Sequence, residues 1–219
     1  MQSLRFGYDY TALDALFITH THCDHFALDD LIQRFSCNSM NRMREVLQVF
    51  GNSEAVRRLE EAMPDAELKN SFSVRTLSNM QSASAGNYTI TAFRSEHMDT
   101  EESLIYLFSG QGKNYLHVVD SAEPLDCVYG YLSEHKIKLD AVALDCTFAL
   151  LKKEYFGHMN FTQNRRVKDR LTAIGAVRED TRFVLTHISH FAGNTHDRLE
   201  QEVRPYGFEV AYDGLLLTV

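Results

Sequence analysis

Six consecutive residues, His20-Thr21-His22-Cys23-Asp24-His25, constrain this chain more than any other part of it. They follow a short apolar run, Ala15-Leu16-Phe17-Ile18-Thr19, that reads as a buried strand. Side chains two apart on an extended chain point the same way. His20 and His22 can therefore hold one cation together, while the turn that follows sends Asp24 and His25 toward a second position. Imidazole and carboxylate suit zinc, or manganese or iron. A polar loop with chance histidines is the plain alternative, and three His and one Asp within six residues at a strand end make it a poor account.

Around this motif, short apolar runs alternate with helical stretches. Helices are predicted from Ala27 to Phe35, Ser53 to Met63, Leu125 to Glu134, Thr162 to Ile174 and Thr195 to Val203, with Asn52 or Ser53 as the cap of the second. Strands are predicted at Val46 to Phe50, Tyr88 to Arg94, Ser103 to Ser109, Tyr115 to Val119, Ala141 to Leu144, Phe183 to Thr186, Phe208 to Ala211 and Leu215 to Val219. In the first half the strands are expected to pair mostly by hairpin, and in the second to alternate with helices. At 219 residues, one domain spanning residues 1–219 is the simplest organisation.

The HxHxDH pattern behind an apolar strand resembles the metallo-β-lactamase superfamily. The resemblance implies an α/β fold, a four-layer αββα sandwich of two mixed β-sheets with helices on the outer faces, and a two-metal site at one sheet edge. It also implies a later His, a bridging Asp and a final His, each just beyond a strand. His97 follows Tyr88 to Arg94, Asp120 follows Tyr115 to Val119, and His187 follows Phe183 to Thr186. By this resemblance His20, His22 and His97 hold one divalent ion, Asp24, His25 and His187 a second, and Asp120 bridges them. Asp24 then counts among the catalytic residues as well as the ligands, and Cys23 is a spacer. Two cations roughly 3.5–4 Å apart need a shared carboxylate to offset their repulsion, and a water held between them is acidified toward neutral pH. No Ser or Cys nucleophile is then required.

Within the superfamily, Phe93 to Asp99 (FRSEHMD) lacks the second His-rich element typical of the thioesterase branch. The export signal of secreted β-lactamases and the inserted domain of large RNA-cleaving members are also unmatched. Leu144-Asp145-Cys146-Thr147, Gly157-His158-Met159-Asn160 and Thr186-His187-Ile188-Ser189-His190 resemble the phosphodiesterase branch, which includes tRNase Z and the phosphoribosyl cyclic phosphate phosphodiesterases. That resemblance makes His158 a general acid and Asp145 the carboxylate that orients it. Phosphodiester cleavage needs such a donor because an alkoxide is a poor leaving group. A carboxylate partner favours the charged imidazole. His190 is expected next to the ligands rather than among them. Family members place further strands and a glycine-rich turn ahead of the motif, whereas 19 residues precede His20 here. The expectation is a fold without its N-terminal strands, and self-association, a homodimer included, along the edge they leave.

Charge narrows the partners. Twenty-two Lys and Arg against thirty Asp and Glu give a net charge of −8. This speaks against affinity built on coating phosphate backbones. A small or cyclic phosphodiester is the expected substrate, with a tRNase Z-like RNA endonuclease and a catalytically inactive metal-binding remnant as the rivals. The run Arg165 to Arg170 reads as a solvated helix face. The four cysteines form no CxxC pair, and no run approaches the roughly 18 apolar residues of a membrane span. No membrane partner and a cytoplasmic location are expected.

Overall fold

The computed structural model describes residues 5–7, 12–33, 46–63, 69 and 71–218. Strands β1 (Ala15–Phe17), β2 (Leu47–Gly51) and β3 (Phe72–Thr76) form a three-stranded sheet, all parallel, in the order β1-β2-β3. Helix α1 (Leu28–Gln33) lies between the first two strands in sequence, and α2 (Ser53–Ala62) between the second and third. Asn52 caps α2, its side chain accepting from the Ala55 amide at 2.8 Å.

A seven-stranded mixed sheet follows: β4 (Ser82–Ala85), β5 (Tyr88–Arg94), β6 (Leu104–Gly110), β7 (Lys113–Val118), β8 (Leu139–Asp145), β9 (Val177–Thr186) and β10 (Glu209–Val210), in the spatial order β10-β9-β8-β7-β6-β5-β4. Strands β4 to β7 pair antiparallel, and β7 to β10 pair parallel. Helices α3 (Asp126–Glu134), α4 (Phe161–Ala173) and α5 (His196–Val203) connect the parallel strands. A capping box at Asn160 and Gln163 starts α4.

Three apolar clusters stack the layers. Leu47, Val49 and Phe72 of the small sheet pack with Ala55 and Leu59 of α2. Phe50, Ile90, Leu104 and Tyr106 fill the space between the sheets, where Phe17 stacks on Phe50 at 4.6 Å. Val142, Leu144, Phe183 and Leu185 alternate on the far face of the large sheet, against Val128, Val167, Leu171 and Leu199 of the outer helices. The result is the expected αββα sandwich. The sheets are also joined directly: the buried Tyr106 hydroxyl donates to the Ile18 carbonyl at 2.6 Å, and the Leu104 amide donates to Thr19 at 2.8 Å.

Several local expectations need correction. Strands β3 and β4 are absent from the sequence reading; each is short and its alternation rests on only two apolar residues, Phe72 and Val74 in one and Ala83 and Ala85 in the other. Hairpin pairing holds for β4 to β7 but not for β1 to β3, which pair parallel across helical connections. Residues 215–218 form no strand, despite the run Leu215-Leu216-Leu217, and Leu216 stands 78% exposed. Apolar residues make a strand only where a neighbouring backbone supplies the ladder. Arg34 and Phe35, expected at the end of the first helix, and Val219 lie outside the described residues.

Candidate metal centre

Strand direction assembles the site. Because β5, β7, β8 and β9 run the same way, their C-terminal ends share one edge of the large sheet. His97 follows β5, Asp120 follows β7, Asp145 ends β8 and His187 follows β9. The end of β1 brings His20 to His25 to the same edge. Asp120 and His187 both adopt left-handed backbone conformations, with φ of 48° and 55°. Such conformations disfavour non-glycine residues and concentrate at functional sites.

Asp120 stands at the centre, 3% exposed. Its Oδ2 lies 2.6 Å from His25 Nε2, 3.4 Å from His20 Nε2 and 3.9 Å from His97 Nε2. Its Oδ1 lies 3.2 Å from His187 Nε2 and 3.3 Å from His158 Nδ1. Oδ1 is buried and has no hydrogen-bond partner among the described residues. An orphaned buried carboxylate oxygen is costly, and a cation would satisfy it.

The nitrogens around it converge in the same sense. His22 Nδ1 is 2.9 Å from His20 Nε2 and 3.2 Å from His97 Nε2. The edge of a tetrahedron of nitrogens around zinc is about 3.3 Å, so these atoms surround a cation-sized point. Two groups fit an ion: His20, His22, His97 and Asp120, and Asp24, His25 and His187. Asp24 is the outermost of them, its side chain 66% exposed and 3.5 Å from His25.

Asp120, Asp145, His158 and His187 also cluster closely enough to suggest a third group. Its chemistry is different, because Asp145 is fully buried and already saturated. Its Oδ1 accepts from the amides of Thr147 at 2.9 Å and Met159 at 3.0 Å. Its Oδ2 meets the Thr147 hydroxyl at 3.1 Å and His158 Nδ1 at 2.9 Å. Four donors use the lone-pair directions a carboxylate has, so Asp145 is a hydrogen-bond hub rather than a free ligand. Burial works to raise its pKa, but His158, His187 and the two amides outweigh that and hold it below the usual carboxylate range.

Thr147 is the site residue that sequence reasoning passed over. Its hydroxyl lies 2.8 Å from His187 Nδ1 and 3.1 Å from His158 Nδ1, joining the two imidazoles to Asp145. Gly157 is a second. Its carbonyl lies 3.0 Å from His97 Nδ1, which leaves Nε2 for the cluster. A Cβ on Gly157 would meet His97 Nδ1 at 3.1 Å, and its φ is +81°, so glycine suits this approach on both counts. His190, expected beside the ligands, is exposed with its ring against Phe191.

Burial tunes the histidines for ligation. His20 is pushed down to about 3, chiefly by desolvation, with Asp120 opposing and His25, His97 and His22 adding to the shift. His97 is lowered mainly by burial. Both are neutral and ready to bind a cation at neutral pH. His187 is raised, mainly by the Asp145 carboxylate 3.5 Å from its Nδ1.

An acid sensitivity follows for the metal-free protein. The ordinary value for His20 is 6.5 and the folded value about 3, so the unfolded chain binds more protons between them. The His20 contribution to stability is complete above about pH 6.5 and falls as pH drops toward 3, by on the order of 1 kcal/mol per pH unit. His187, with its raised value, works in the opposite sense. Urea midpoints measured from pH 7 to pH 4 should decline, and His20→Gln should flatten the decline. A midpoint that holds level on acidification would contradict this account.

Relatives agree with the architecture. A structure of the metallo-β-lactamase fold protein YhfI from Bacillus subtilis superposes with a TM-score of 0.72 at 19% identity, covering 99% of this chain and 82% of that one. A diphosphatase of the PhnP family superposes with a TM-score of 0.71 at 20% identity, covering 97% and 72%. Both likenesses concern the fold. A ribonuclease Z from Archaeoglobus fulgidus is 37% identical over 87 residues, which are 39% of this chain and 28% of that protein's length. A family profile described as a beta-lactamase superfamily domain matches residues 2–188. With that match over most of its length and the αββα sandwich around a His- and Asp-lined edge, the chain belongs to the beta-lactamase superfamily.

Proposed function

We propose that the chain is a two-metal phosphodiesterase acting on a small or cyclic phosphodiester, with residues 1–219 forming a single cytoplasmic domain. The carrying observation is the His158–Asp145 pair at 2.9 Å, set so that His158 Nδ1 is also 3.3 Å from Asp120. A proton donor held by a saturated, buried carboxylate beside a cation-shaped cluster is what expulsion of an alkoxide calls for.

His20, His22 and His97 would hold one divalent ion, and Asp24, His25 and His187 the other, with Asp120 reaching both. Zinc suits these donors best, and manganese or iron also fit. The ions, when bound, supply an acidified water and neutralise charge on the phosphate. His158 delivers a proton to the leaving oxygen. Asp145 and Thr147 fix the plane of its ring, and Asp145 balances its charge while it is protonated. Burial of His20 and His97 holds their nitrogens neutral for binding.

A ribonuclease Z-like endonuclease is the second reading, favoured by the stretch of 37% identity to the archaeal ribonuclease and disfavoured by the net charge of −8. An inactive metal-binding remnant is the third. No helix among the described residues is long and apolar enough to cross a membrane. A homodimer would use the outer edge of β1, which pairs with no other described strand.

The test is a substrate panel with the protein loaded with zinc, manganese or iron in turn and its metal content measured. Two ions per chain are expected, with cyclic or small phosphodiesters turned over at least ~100-fold faster than thioesters or lactones, as a positioned proton donor implies. Preference for a thioester or lactone would overturn the proposal. Turnover confined to structured RNA would favour the second reading, and full metal loading without turnover the third.

A further inference from the structure

The loop joining β5 to β6 carries His97 and, four residues on, Glu101. The carboxylate of Glu101 ties together three segments remote in sequence. Its Oε1 accepts from the Thr21 amide at 3.0 Å and from the Thr21 hydroxyl at 2.6 Å. Its Oε2 accepts from Asn52 Nδ2 at 2.6 Å. Thr21 stands between His20 and His22, is 6% exposed, and has its carbonyl 3.4 Å from Arg58 Nη1 on α2. Asn52 is 1% exposed and is also the cap of α2. The same Asn52 amide donates to the Glu102 carbonyl at 3.0 Å, so the β5–β6 loop is gripped at two successive residues.

We infer that Glu101 is the positioning residue for the ion held by His20, His22 and His97, because its carboxylate sets the spacing between the two loops that carry them. The inference rests on the ligand assignment above but not on phosphodiester chemistry. Nitrogens from separate loops meet within 3.2 Å around a single point. Bringing them there without a cation sets lone pairs against one another and costs ordering entropy. A charge-assisted clamp one residue from each of two ligands meets that cost before the ion arrives. The loop from β1 can then retain its shape in the metal-free protein. Asp24, His25 and His187 make none of these bonds.

The experiment titrates zinc against a competing chelator in the wild type and in Glu101→Ala. One ion should bind about 10–100-fold more weakly and the other as before, the usual consequence of losing a group that orients a ligand. The coupling identifies which ion. In a His97→Ala background the Glu101→Ala effect should vanish, and in a His187→Ala background it should persist in full. In the metal-free protein, hydrogen exchange at the Thr21 amide should accelerate in Glu101→Ala. Glu101→Gln, which keeps an acceptor for Thr21 but opposes an amide to Asn52, should recover part of the affinity. If Glu101→Ala does not fold, Thr21→Val removes the hydroxyl bond alone and should weaken the same ion by about tenfold. Equal weakening of both ions, or a lower melting temperature with both affinities unchanged, would overturn the proposal. Site-selective weakening in a protein without phosphodiesterase activity would uphold it while the proposed reaction fell.

Discussion

Asp120→Ala is expected to abolish two-ion binding and to lower any metal-dependent turnover by about 10³-fold or more, the rate equivalent of several kcal/mol of lost charge stabilisation. The Asp120 carboxylate lies within 3.9 Å of five imidazoles. Its two oxygens lie within 3.4 Å of ring nitrogens on His20, His25, His158 and His187, and Oδ1 has no hydrogen-bond partner among the described residues. In the proposed assignment, removing the carboxylate would take a ligand from both ions at once and leave two cations repelling without a shared anion. Burial favours the neutral acid, yet His25, His187 and His97 overcome it and hold Asp120 well below the usual carboxylate range, so the group is an anion throughout the working pH range. Asp120→Asn, which keeps the shape and loses the charge, should behave almost as badly. Elemental analysis of the reconstituted variants, with circular dichroism to check folding, measures the effect. Two tightly held ions in Asp120→Ala would remove Asp120 from its central role.

His158→Ala should separate proton donation from metal binding. In the proposed assignment it removes no ligand, so both ions should remain. Turnover of a phosphodiester with an alkyl leaving group should fall by about 10²–10⁴-fold, the range for losing a positioned proton donor. A nitrophenyl phosphodiester should lose far less, because a nitrophenolate departs without protonation. Asp145→Asn should give a weaker form of the same pattern. That change leaves the amides of Thr147 and Met159 still bonded but disturbs the partner that holds His158 at 2.9 Å. Equal losses on the two esters would mean that His158 positions substrate rather than delivering a proton. Loss of one ion would make it a ligand, favouring the third grouping around Asp145 over the hydrogen-bond account.

How much of this was legible without coordinates differs from residue to residue. His20 and His22 were readable because their cooperation is local: an extended backbone puts alternate side chains on one side. His97, Asp120 and His187 come from the resemblance, each a polar residue just beyond an apolar strand, and the structure brings all three together. Helix α2 announced itself through a cap at Asn52, which satisfies an amide three residues away, whereas the matching cap of α4 at Asn160 came to light only in the structure. Strands β3 and β4 gave no such mark, and the run Leu215 to Leu217 gave a misleading one.

The local chemistry of this chain was therefore determined by sequence alone: the donor set of His and Asp, the strand before it, and the alternation of strands and helices in the second half. The tertiary structure decided how remote segments meet. It brought the ends of β5, β7, β8 and β9 to one edge, saturated Asp145, and set the Thr147 hydroxyl between two imidazoles. It also placed Glu101 on Thr21, 80 residues away along the chain. The division has a physical cause. Periodicity, capping and ligand spacing act within a few residues, so the amino-acid string carries them directly. A carboxylate's partners across the fold, and the backbone that completes a strand, depend on which chain segments approach, and that is set by the packing of the whole sandwich.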